Sequence, residues 1–263
     1  TRKSMSRDTT PYYRKLGVRR AVVEALKDKA ETCQRNLLKY LEQEKERGSV
    51  LEYTPYYIVN MVYVKANRDV VENIAYMPEV GTIYKNKIHS LEKIEGKQEL
   101  ESSDSELEWN IERIKAHLVW EMGIDGAGVV VANIDSGVDW THEDSDGHGT
   151  HVMGTMVGQE PDGSNKIGVA PGAKWIAVRV FDINGYTTDP ILLSAGEWLL
   201  APGGNPDKAP NVVNNSWGGL DGIDDWYRDT VRNWRAAGIF PVFSAGNQRE
   251  GEPAPWPGSI SCP

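Results

Sequence analysis

From Trp109 to its end, the chain alternates between apolar segments of strand length and segments of helix length. The first apolar segment, residues 128–134, is almost wholly apolar, which is typical of a strand buried on both faces of a parallel sheet. The alternation predicts strands at 128–134, 174–181, 211–217 and 239–245, and helices at 148–157, 190–200 and 224–237. This order predicts an α/β fold in which a parallel sheet carries helices on both faces.

The amino-terminal part of the chain has a different pattern. Residues 18–47 carry apolar side chains at every third or fourth position, Val18 and Cys33 among them, which predicts a long helix. Residues 56–64 are rich in β-branched and aromatic side chains and predict a strand. Residues 68–77 suit a short helix, and residues 80–91 predict a second strand. We therefore expect a small α+β lobe with a long amino-terminal helix in front of the α/β domain.

An acidic segment separates the two predicted domains. Residues 92–108 hold seven Asp and Glu and no aromatic side chain, a composition that cannot bury enough apolar surface to fold alone. The segment predicts an exposed linker, where a proteolytic cut would fall, and a plain spacer is the alternative. We place the lobe at residues 1–100, the processing region at 101–108 and the α/β domain at 109–263.

Charge and hydropathy restrict the classes of partner. Residues 1–47 hold 13 Lys and Arg against 7 Asp and Glu, a net charge of +6, so the total of −9 leaves −15 for the rest. Opposite charges on the two parts predict attraction between them rather than binding to nucleic acid. No apolar run approaches the ~20 residues that span a bilayer, so we expect no membrane segment. The first residues also lack the apolar core of a signal peptide.

Two short strings place a polar side chain between a regular element and a glycine-rich turn. Asp135 follows the strand at 128–134, and His148 lies between two glycines where the helix at 148–157 begins. In an open parallel sheet, functional groups gather at the carboxyl ends of strands. A carboxylate there can orient a histidine, and the histidine can take a proton from a hydroxyl group. Taken singly, such an Asp is more often a turn residue and such a His is more often structural.

Two further strings end the later strands. Residues 214–219 read Asn-Asn-Ser-Trp-Gly-Gly, and residues 243–247 read Phe-Ser-Ala-Gly-Asn. The side-chain amide of Asn247 could donate a hydrogen bond to an oxyanion that forms on a scissile carbonyl. In isolation, an Ala-Gly-Asn string indicates only a turn.

Together, the four strings resemble the motifs of the subtilisin-like serine proteases, the subtilases, from about residue 109 to the end. The resemblance implies that Asp135 orients the histidine, that His148 is the general base, and that Asn247 donates to the oxyanion. It implies two groups of substrate-binding residues: Ser216, Trp217 and Gly218 beside an extended substrate, and Ala245 and Gly246 in the pocket before the scissile bond. By pattern and position, the amino-terminal lobe resembles the carboxyl-terminal half of a subtilase prodomain.

The chain departs from the family pattern in two places. Only twelve residues separate Asp135 from His148, where family members usually carry a helix and a strand. Twelve extended residues reach roughly 40 Å, so contact is not forbidden, and a loop missing near residues 143–145 explains the gap as well as a true deletion. The Gly-Thr-Ser motif of the nucleophile occurs nowhere in the 263 residues, and Ser259 and Ser261 lack its context. We therefore expect the nucleophile in a further part of the protein and this chain alone to be inactive.

Two functions are compatible with these residues. The first is the zymogen of a serine endopeptidase that cleaves peptides or proteins, with its own prodomain and the remaining carboxyl-terminal part of the protease as partners. The second is a catalytically dead pseudoprotease that binds peptides, or a folding and inhibitory module. The presence of Asp135, His148 and Asn247 together favours the first. The family resemblance implies secretion.

The expected chemistry needs no cofactor. Structural calcium is common in the family, and Asp144 and the turn at 162–165 offer oxygen ligands. Neither forms a recognisable calcium loop, so calcium is expected at most as a structural ion.

Overall fold

The computed structural model describes residues 9–91, 107–139, 144, 147–218 and 225–246, with side chains from residue 15 onward. The chain divides into two compact units. Unit 1 comprises Thr1–Lys87, Thr188–Ala209 and Asp225–Ile239, and unit 2 comprises Ile88–Thr187, Pro210–Asp224 and Phe240–Pro263.

Within the described ranges, seven α-helices and eight strands follow one another. The helices are α1 (Thr9–Glu46), α2 (Arg68–Ala75), α3 (Trp109–Arg113), α4 (Ala116–Glu121), α5 (His148–Val157), α6 (Asp189–Leu200) and α7 (Arg228–Ala236). The strands are β1 (Val50–Tyr56), β2 (Met61–Ala66), β3 (Ile88–Ser90), β4 (Val130–Asp135), β5 (Lys174–Arg179), β6 (Tyr186–Thr188), β7 (Val212–Asn215) and β8 (Phe240–Phe243).

Unit 2 contains a four-stranded sheet in which all neighbouring strands are parallel and the spatial order is β5-β4-β7-β8. From β4 the chain moves outward to β5, and it then returns across β4 to form β7 and β8. This reversal puts a switch point between β4 and β7, and open α/β sheets bind ligands at the carboxyl ends of such strands. The predicted fold class, an α/β fold on a parallel sheet preceded by a long helix, is confirmed.

Helix α5 is anchored to β4 by apolar packing. Val131 of β4 forms a buried cluster with Met153 and Val157 of α5, and Ala177 and Val212 of the neighbouring strands pack against it. Burial of each such side chain stabilises the fold by about 1.5–3 kcal/mol. The cluster therefore fixes the position of α5, whose first residue is His148, relative to β4, whose last residue is Asp135.

The core of the amino-terminal lobe lies in unit 1. Strands β1 and β2 form an antiparallel hairpin. Leu41 of α1, Val50 of β1, and Val70 and Ile74 of α2 are buried together. Asn67 caps the amino-terminal end of α2 by accepting a hydrogen bond from the backbone N–H of Val70 at 3.0 Å.

Helices α6 and α7, also in unit 1, cross at close range. A Cβ on Gly196 would lie 2.9 Å from both Thr230 Cγ2 and the Tyr227 hydroxyl, so the crossing requires a glycine. The indole Nε1 of Trp234 donates to the carbonyl of Gly196 at 2.9 Å. The Tyr227 hydroxyl donates to the carbonyl of Leu192 at 3.2 Å.

The predicted amino-terminal helix is confirmed, but its start and its buried face differ from the prediction. Helix α1 begins at Thr9 instead of residue 18. Val18 and Cys33, which the apolar pattern assigned to the buried face, are exposed. The buried residues of α1 are Arg19, Val23, Ala30, Gln34 and Leu41. Ala30 and Leu41 are buried as the pattern predicted. At the other turns the buried residue is the one after the predicted position, and two of these residues, Arg19 and Gln34, are polar.

Two strand predictions in the lobe were wrong. The predicted strand at 56–64 is the end of β1, a turn and the start of β2. The predicted strand at 80–91 is irregular up to residue 87, and only β3 is a strand. Residues 92–106 lie outside the described residues, so most of the predicted processing region does as well. None of the helices in the described ranges is long and apolar enough to cross a membrane.

Candidate active site

Three of the four motifs follow strands that end at one edge of the parallel sheet, and the fourth, at His148, begins α5. Asp135 is the last residue of β4, and Ser216 directly follows β7. Beyond β8, the backbone N–H of Ser244 donates to the carbonyl of Asn215 at 3.0 Å. The segments that follow β7 and β8 therefore continue side by side past the end of the sheet.

Asp135 and His148 form a hydrogen-bonded pair. Nδ1 of His148 lies 2.7 Å from Oδ1 of Asp135. The Asp135 side chain is 1% exposed, whereas the imidazole is 18% exposed. An ionised carboxylate can only accept, so Nδ1 carries the proton and Nε2 is the basic nitrogen of the neutral ring. The connection of twelve residues thus brings the two side chains together in the orientation that a general base needs.

The first turn of α5 approaches the loop after β4 very closely. A Cβ on Gly149 would lie 2.0 Å from the carbonyl oxygen of Gly137, a distance that no side chain tolerates. Gly137 itself has a φ of +123°, a region that favours glycine. The backbone N–H of Gly149 donates to Ser136 Oγ at 2.9 Å. The glycine after His148 is therefore needed for this close approach.

Two amide side chains, the buried Asn133 and the half-buried Asn214, link β4, β7 and α5. Asn133 Nδ2 donates to the carbonyl of Gly149 at 3.3 Å. Asn214 Nδ2 donates to Asn133 Oδ1 and to Ser216 Oγ, each at 2.9 Å. The sequence analysis did not single out Asn133, although an amide inside an otherwise apolar strand was a visible signal. It is fully buried, and its bonds connect the strand that ends in Asp135 to the helix that begins with His148.

The predicted substrate-binding residues at 216–218 lie at the same edge. Ser216 and Gly218 are half-buried, whereas Trp217 is buried. The Trp217 ring packs edge to face against Phe243, with the ring centroids 5.8 Å apart. Because this ring packs inward, only the backbone of Trp217 is suited to pair with a substrate.

The predicted residues after β8 are described only in part. Ala245 and Gly246 are exposed, and Gly246 has a φ of +93°. Asn247, the predicted oxyanion donor, lies outside the described residues. The structure shows the contact between Asp135 and His148, while the role of His148 as general base and that of Asn247 as oxyanion donor stay predictions.

Strand β3, which ends the predicted amino-terminal lobe, pairs outside the four-stranded sheet. Strands β3 and β6 form a two-stranded sheet. Just beyond it, the backbone N–H of Leu91 donates to the carbonyl of Gly185 at 2.8 Å, and Leu91 is buried. The sequence analysis did not predict β6, because three residues are too few to carry an alternating pattern.

The sequence suggested oxygen ligands for a metal ion at Asp144 and at the turn 162–165. Within the described ranges, no group of three or more His, Cys, Asp or Glu side chains could hold a metal ion. Both oxygens of Asp144 accept hydrogen bonds from protein groups. Asp162 Oδ1 accepts from the backbone N–H and the hydroxyl of Ser164, and these bonds hold the pKa of Asp162 below its usual value. A structural calcium ion stays a prediction.

The parallel sheet, its switch point and the buried Asp135 paired with His148 at that point fit the class of subtilisin-like α/β proteins. Residues 143–262 match the model of the subtilase family. The chain belongs to this family of serine peptidases.

Curated relatives agree with this assignment. The chain is 42% identical to Bacillopeptidase F of Bacillus subtilis (strain 168) over 99% of its own length and 21% of that protein. It is 30% identical to Subtilisin E of the same organism, over 58% of the chain and 45% of that protein. It is 29% identical to the Minor extracellular protease Epr, over 61% of the chain and 26% of that protein. The chain thus spans less than half the length of each of these relatives.

Proposed function

We propose that this chain is part of a secreted serine endopeptidase precursor, with a prodomain in front of the first half of a catalytic domain. The observation that carries the proposal is the bond of 2.7 Å between the buried Asp135 carboxylate and His148 Nδ1. A pair of this geometry at a sheet switch point is suited to activate a hydroxyl nucleophile. Secretion is supported by the relative named an extracellular protease.

In the proposed mechanism, Asp135 holds His148 with Nε2 unprotonated. Nε2 takes the proton of a serine hydroxyl from a part of the protease beyond these residues, and the serine oxygen attacks the carbonyl carbon of the scissile bond. The imidazolium formed is stabilised by the Asp135 carboxylate. It then gives its proton to the departing amine nitrogen as the C–N bond breaks. Asn247 is proposed to donate to the oxyanion of the tetrahedral intermediate.

The substrate is proposed to lie along the segments that follow β7 and β8. Ser216 and Gly218 would offer backbone groups to an extended peptide, and Ala245 and Gly246 would line the pocket before the scissile bond. The inward packing of Trp217 against Phe243 supports this role, because it holds the backbone of that segment in place. Recognition through backbone groups predicts cleavage of unfolded or extended peptide segments.

Contacts within unit 1 support a prodomain role for the lobe. Glu197 of α6 accepts hydrogen bonds from the backbone N–H groups of Tyr57 and Ile58, at 2.6 and 3.0 Å, in the turn between β1 and β2. Asn233 of α7 donates to the carbonyl of Ile58. The lobe thus rests on two helices that the sequence assigns to the α/β domain. A folding assistant needs such an extensive contact with the domain that it templates.

We also propose an inhibitory role for the lobe, in which its carboxyl-terminal segment occupies the substrate cleft. A chain segment that pairs with an exposed strand gains affinity from backbone hydrogen bonds, which is the way an extended substrate would bind. The lobe is proposed to hold this segment in place until the linker at 101–108 is cut. Residues 1–100 would then leave as the prodomain, and residues 109 onward would remain in the enzyme.

Labelling with a serine-directed fluorophosphonate tests the proposed function. The complete gene product should react with the probe at one serine, and His148→Ala should abolish labelling. His151→Ala is the matched control, because His151 lies three residues further along the same helix and is exposed. Absence of labelling in the wild-type protein would favour the second function, a pseudoprotease or folding module. Equal labelling of the wild type and His148→Ala would refute the role of the pair.

A further inference from the structure

We propose that Asp144 is a positioning residue, which holds the general base His148 against Asp135 by joining the chain segments that carry them. This inference rests on the proposed function, because it concerns the reaction of the same site. Neither the motif strings nor the resemblance assigned Asp144 a catalytic role, and the sequence suggested it only as an oxygen ligand.

A single carboxylate joins the neighbours of both catalytic residues. Ser136, which follows Asp135, donates its hydroxyl proton to Asp144 Oδ1 at 2.7 Å. Thr150, two residues after His148, donates to Oδ2 from its backbone N–H at 2.8 Å and from its hydroxyl at 2.5 Å. The backbone segments that carry Asp135 and His148 are therefore both hydrogen-bonded to the Asp144 carboxylate.

The direction of these hydrogen bonds depends on the negative charge. Because Ser136 and Thr150 both give their hydroxyl protons to Asp144, their oxygens are left to accept. Ser136 Oγ accepts from the backbone N–H of Gly149 at 2.9 Å, and Thr150 Oγ1 accepts from the backbone N–H of Asp139 at 2.8 Å. A carboxylate can accept all three of its bonds, whereas an amide must present two N–H donors on one side. Replacing Asp144 by Asn would therefore conserve the size of the side chain, but its N–H donors would face donors that now bond to the carboxylate.

The carboxylate also completes the amino-terminal end of α5. The residue before the helix is Gly147, which has no side chain, and the helix has no side-chain cap there. The backbone N–H of Thr150 is one of the first-turn donors that lack a partner inside a helix. Asp144 accepts this bond from outside the helix, and a negative charge at this end is favourable. The same turn carries His148, so its position depends on how firmly that end is held.

Substitution of Asp144 should misalign His148 against Asp135 without weakening substrate binding. If the first turn of α5 shifts, the His148–Asp135 bond lengthens and the imidazolium is stabilised less in the transition state. Misplacement of a catalytic group by about 1 Å can cost roughly 100-fold in rate. None of the residues assigned to substrate binding contacts Asp144 in the described hydrogen bonds, so KM should be unchanged.

The first measurement uses the 263-residue chain and needs no nucleophile. In the wild type, the His148 Nδ1 proton should give a downfield proton NMR resonance, assigned by its loss in His148→Ala. Asp144→Asn should broaden or remove this resonance. Asp139→Asn is the control, because the Asp139 side chain is exposed and only its backbone takes part in the network. This resonance reports whether Asp144 positions His148 even if the complete protein proves to have no peptidase activity.

The second measurement uses the complete gene product. Asp144→Asn should lower kcat by about 10- to 100-fold with KM within twofold, and Asp139→Asn should match the wild type. Ser136→Ala removes the bond to Asp144 Oδ1 and the bond from the Gly149 N–H, but it keeps both bonds from Thr150 to Asp144. It should therefore give a smaller loss of the same kind, and it tests the proposal if Asp144→Asn does not fold. The proposal is overturned if both variants keep the resonance and kcat within twofold, or if KM alone changes.

Discussion

Each of the two units contains a carboxylate that is withdrawn from solvent, and the two carboxylates have different partners. In unit 2, Asp135 is almost fully buried and accepts from the ring nitrogen of His148. In unit 1, Glu197 is only half-buried and accepts from two backbone N–H groups of the β1–β2 turn. In the proposed function, the first contact aligns the proton acceptor His148, whereas the second joins the β1–β2 turn to α6.

The difference indicates which contact is suited to be permanent. The Asp135 carboxylate is fixed at the end of a sheet strand, and its partner helix is locked to that strand by a glycine contact and an apolar cluster. The Glu197 contact binds a lobe through a few hydrogen bonds at a partly exposed site, where water can replace the donors. We interpret the first as the rigid geometry of catalysis and the second as the reversible docking of a prodomain.

The largest expected effect concerns catalysis by the Asp–His pair. In the complete gene product, Asp135→Asn should lower kcat by about 10⁴-fold, a magnitude known for this substitution in Ser-His-Asp proteases, because the amide favours the wrong histidine tautomer. Glu197→Gln should leave kcat of the processed enzyme within twofold. Steady-state hydrolysis of a chromogenic peptide measures both. A loss below tenfold in Asp135→Asn would remove the distinction between the two carboxylates.

The next effect concerns the rigidity of the site. Gly149→Ala should destabilise unit 2 by more than about 3 kcal/mol, because the added methyl group would overlap the carbonyl of Gly137. Gly154→Ala is the matched control on the same helix, because its Cβ would meet Ile167 at an ordinary 3.8 Å. Urea unfolding of the chain measures the difference. Equal midpoints for the two variants would show that the close approach is not rigid.

The third effect concerns the docking contact. Glu197→Ala removes the acceptor of two charge-assisted hydrogen bonds, so opening of this contact should become easier by about 1.5–3 kcal/mol. Amide hydrogen exchange at Tyr57 and Ile58 should accelerate by roughly 10- to 100-fold, while Glu31→Ala, an exposed site on α1, should not change it. Unchanged protection in Glu197→Ala would mean that Glu197 does not hold the turn.

The smallest effect is a pH dependence in unit 1. Burial raises the pKa of Glu197 above its ordinary value, although the two backbone donors and Lys27 oppose the shift. The folded chain then keeps a proton that the unfolded chain has already released. The stabilisation is therefore complete below the ordinary pKa and is lost as the pH rises through the folded value.

Glu197→Gln should remove this dependence of the free energy of unfolding on pH. The free energy of unfolding of the chain, measured by urea at several pH values in that window, should decrease with pH in the wild type and stay flatter in the variant. Glu121→Gln in α4 serves as the control. A slope that persists in Glu197→Gln would assign the effect to another group.

The sequence predicted correctly those helices and strands whose ends are marked by nearby residues such as glycine. Helix α5 begins and ends where the sequence predicted, because Gly147 and Gly158 bracket it. The β1–β2 hairpin was missed because its turn has no Gly or Pro. The turn uses Asn60, at a φ of +52°, and Ile58, which is fully buried. The burial of Gln34 likewise depends on its bond to the Tyr56 carbonyl, 22 residues away, which no periodicity encodes.

The same distinction applies to the candidate site. Asp135 and His148 were found because each stands in a short string with a recognisable chemistry. Asp144 was not recognised as a positioning residue because its role depends on Ser136 and Thr150. These two residues approach it only when β4 and α5 are packed together. The positions of the strand ends followed from the parallel sheet, whereas the hydrogen bonds between them required the three-dimensional structure.

Self-processing of the complete precursor tests the central claim most directly. Expressed from its full gene, the wild-type protein should yield two polypeptides, and amino-terminal sequencing of the larger one should place the cut within residues 101–108. His148→Ala should remain a single uncut chain, and His151→Ala should be processed like the wild type. An uncut wild-type protein, or equal cutting in His148→Ala, would contradict the account of a prodomain released by the Asp–His site.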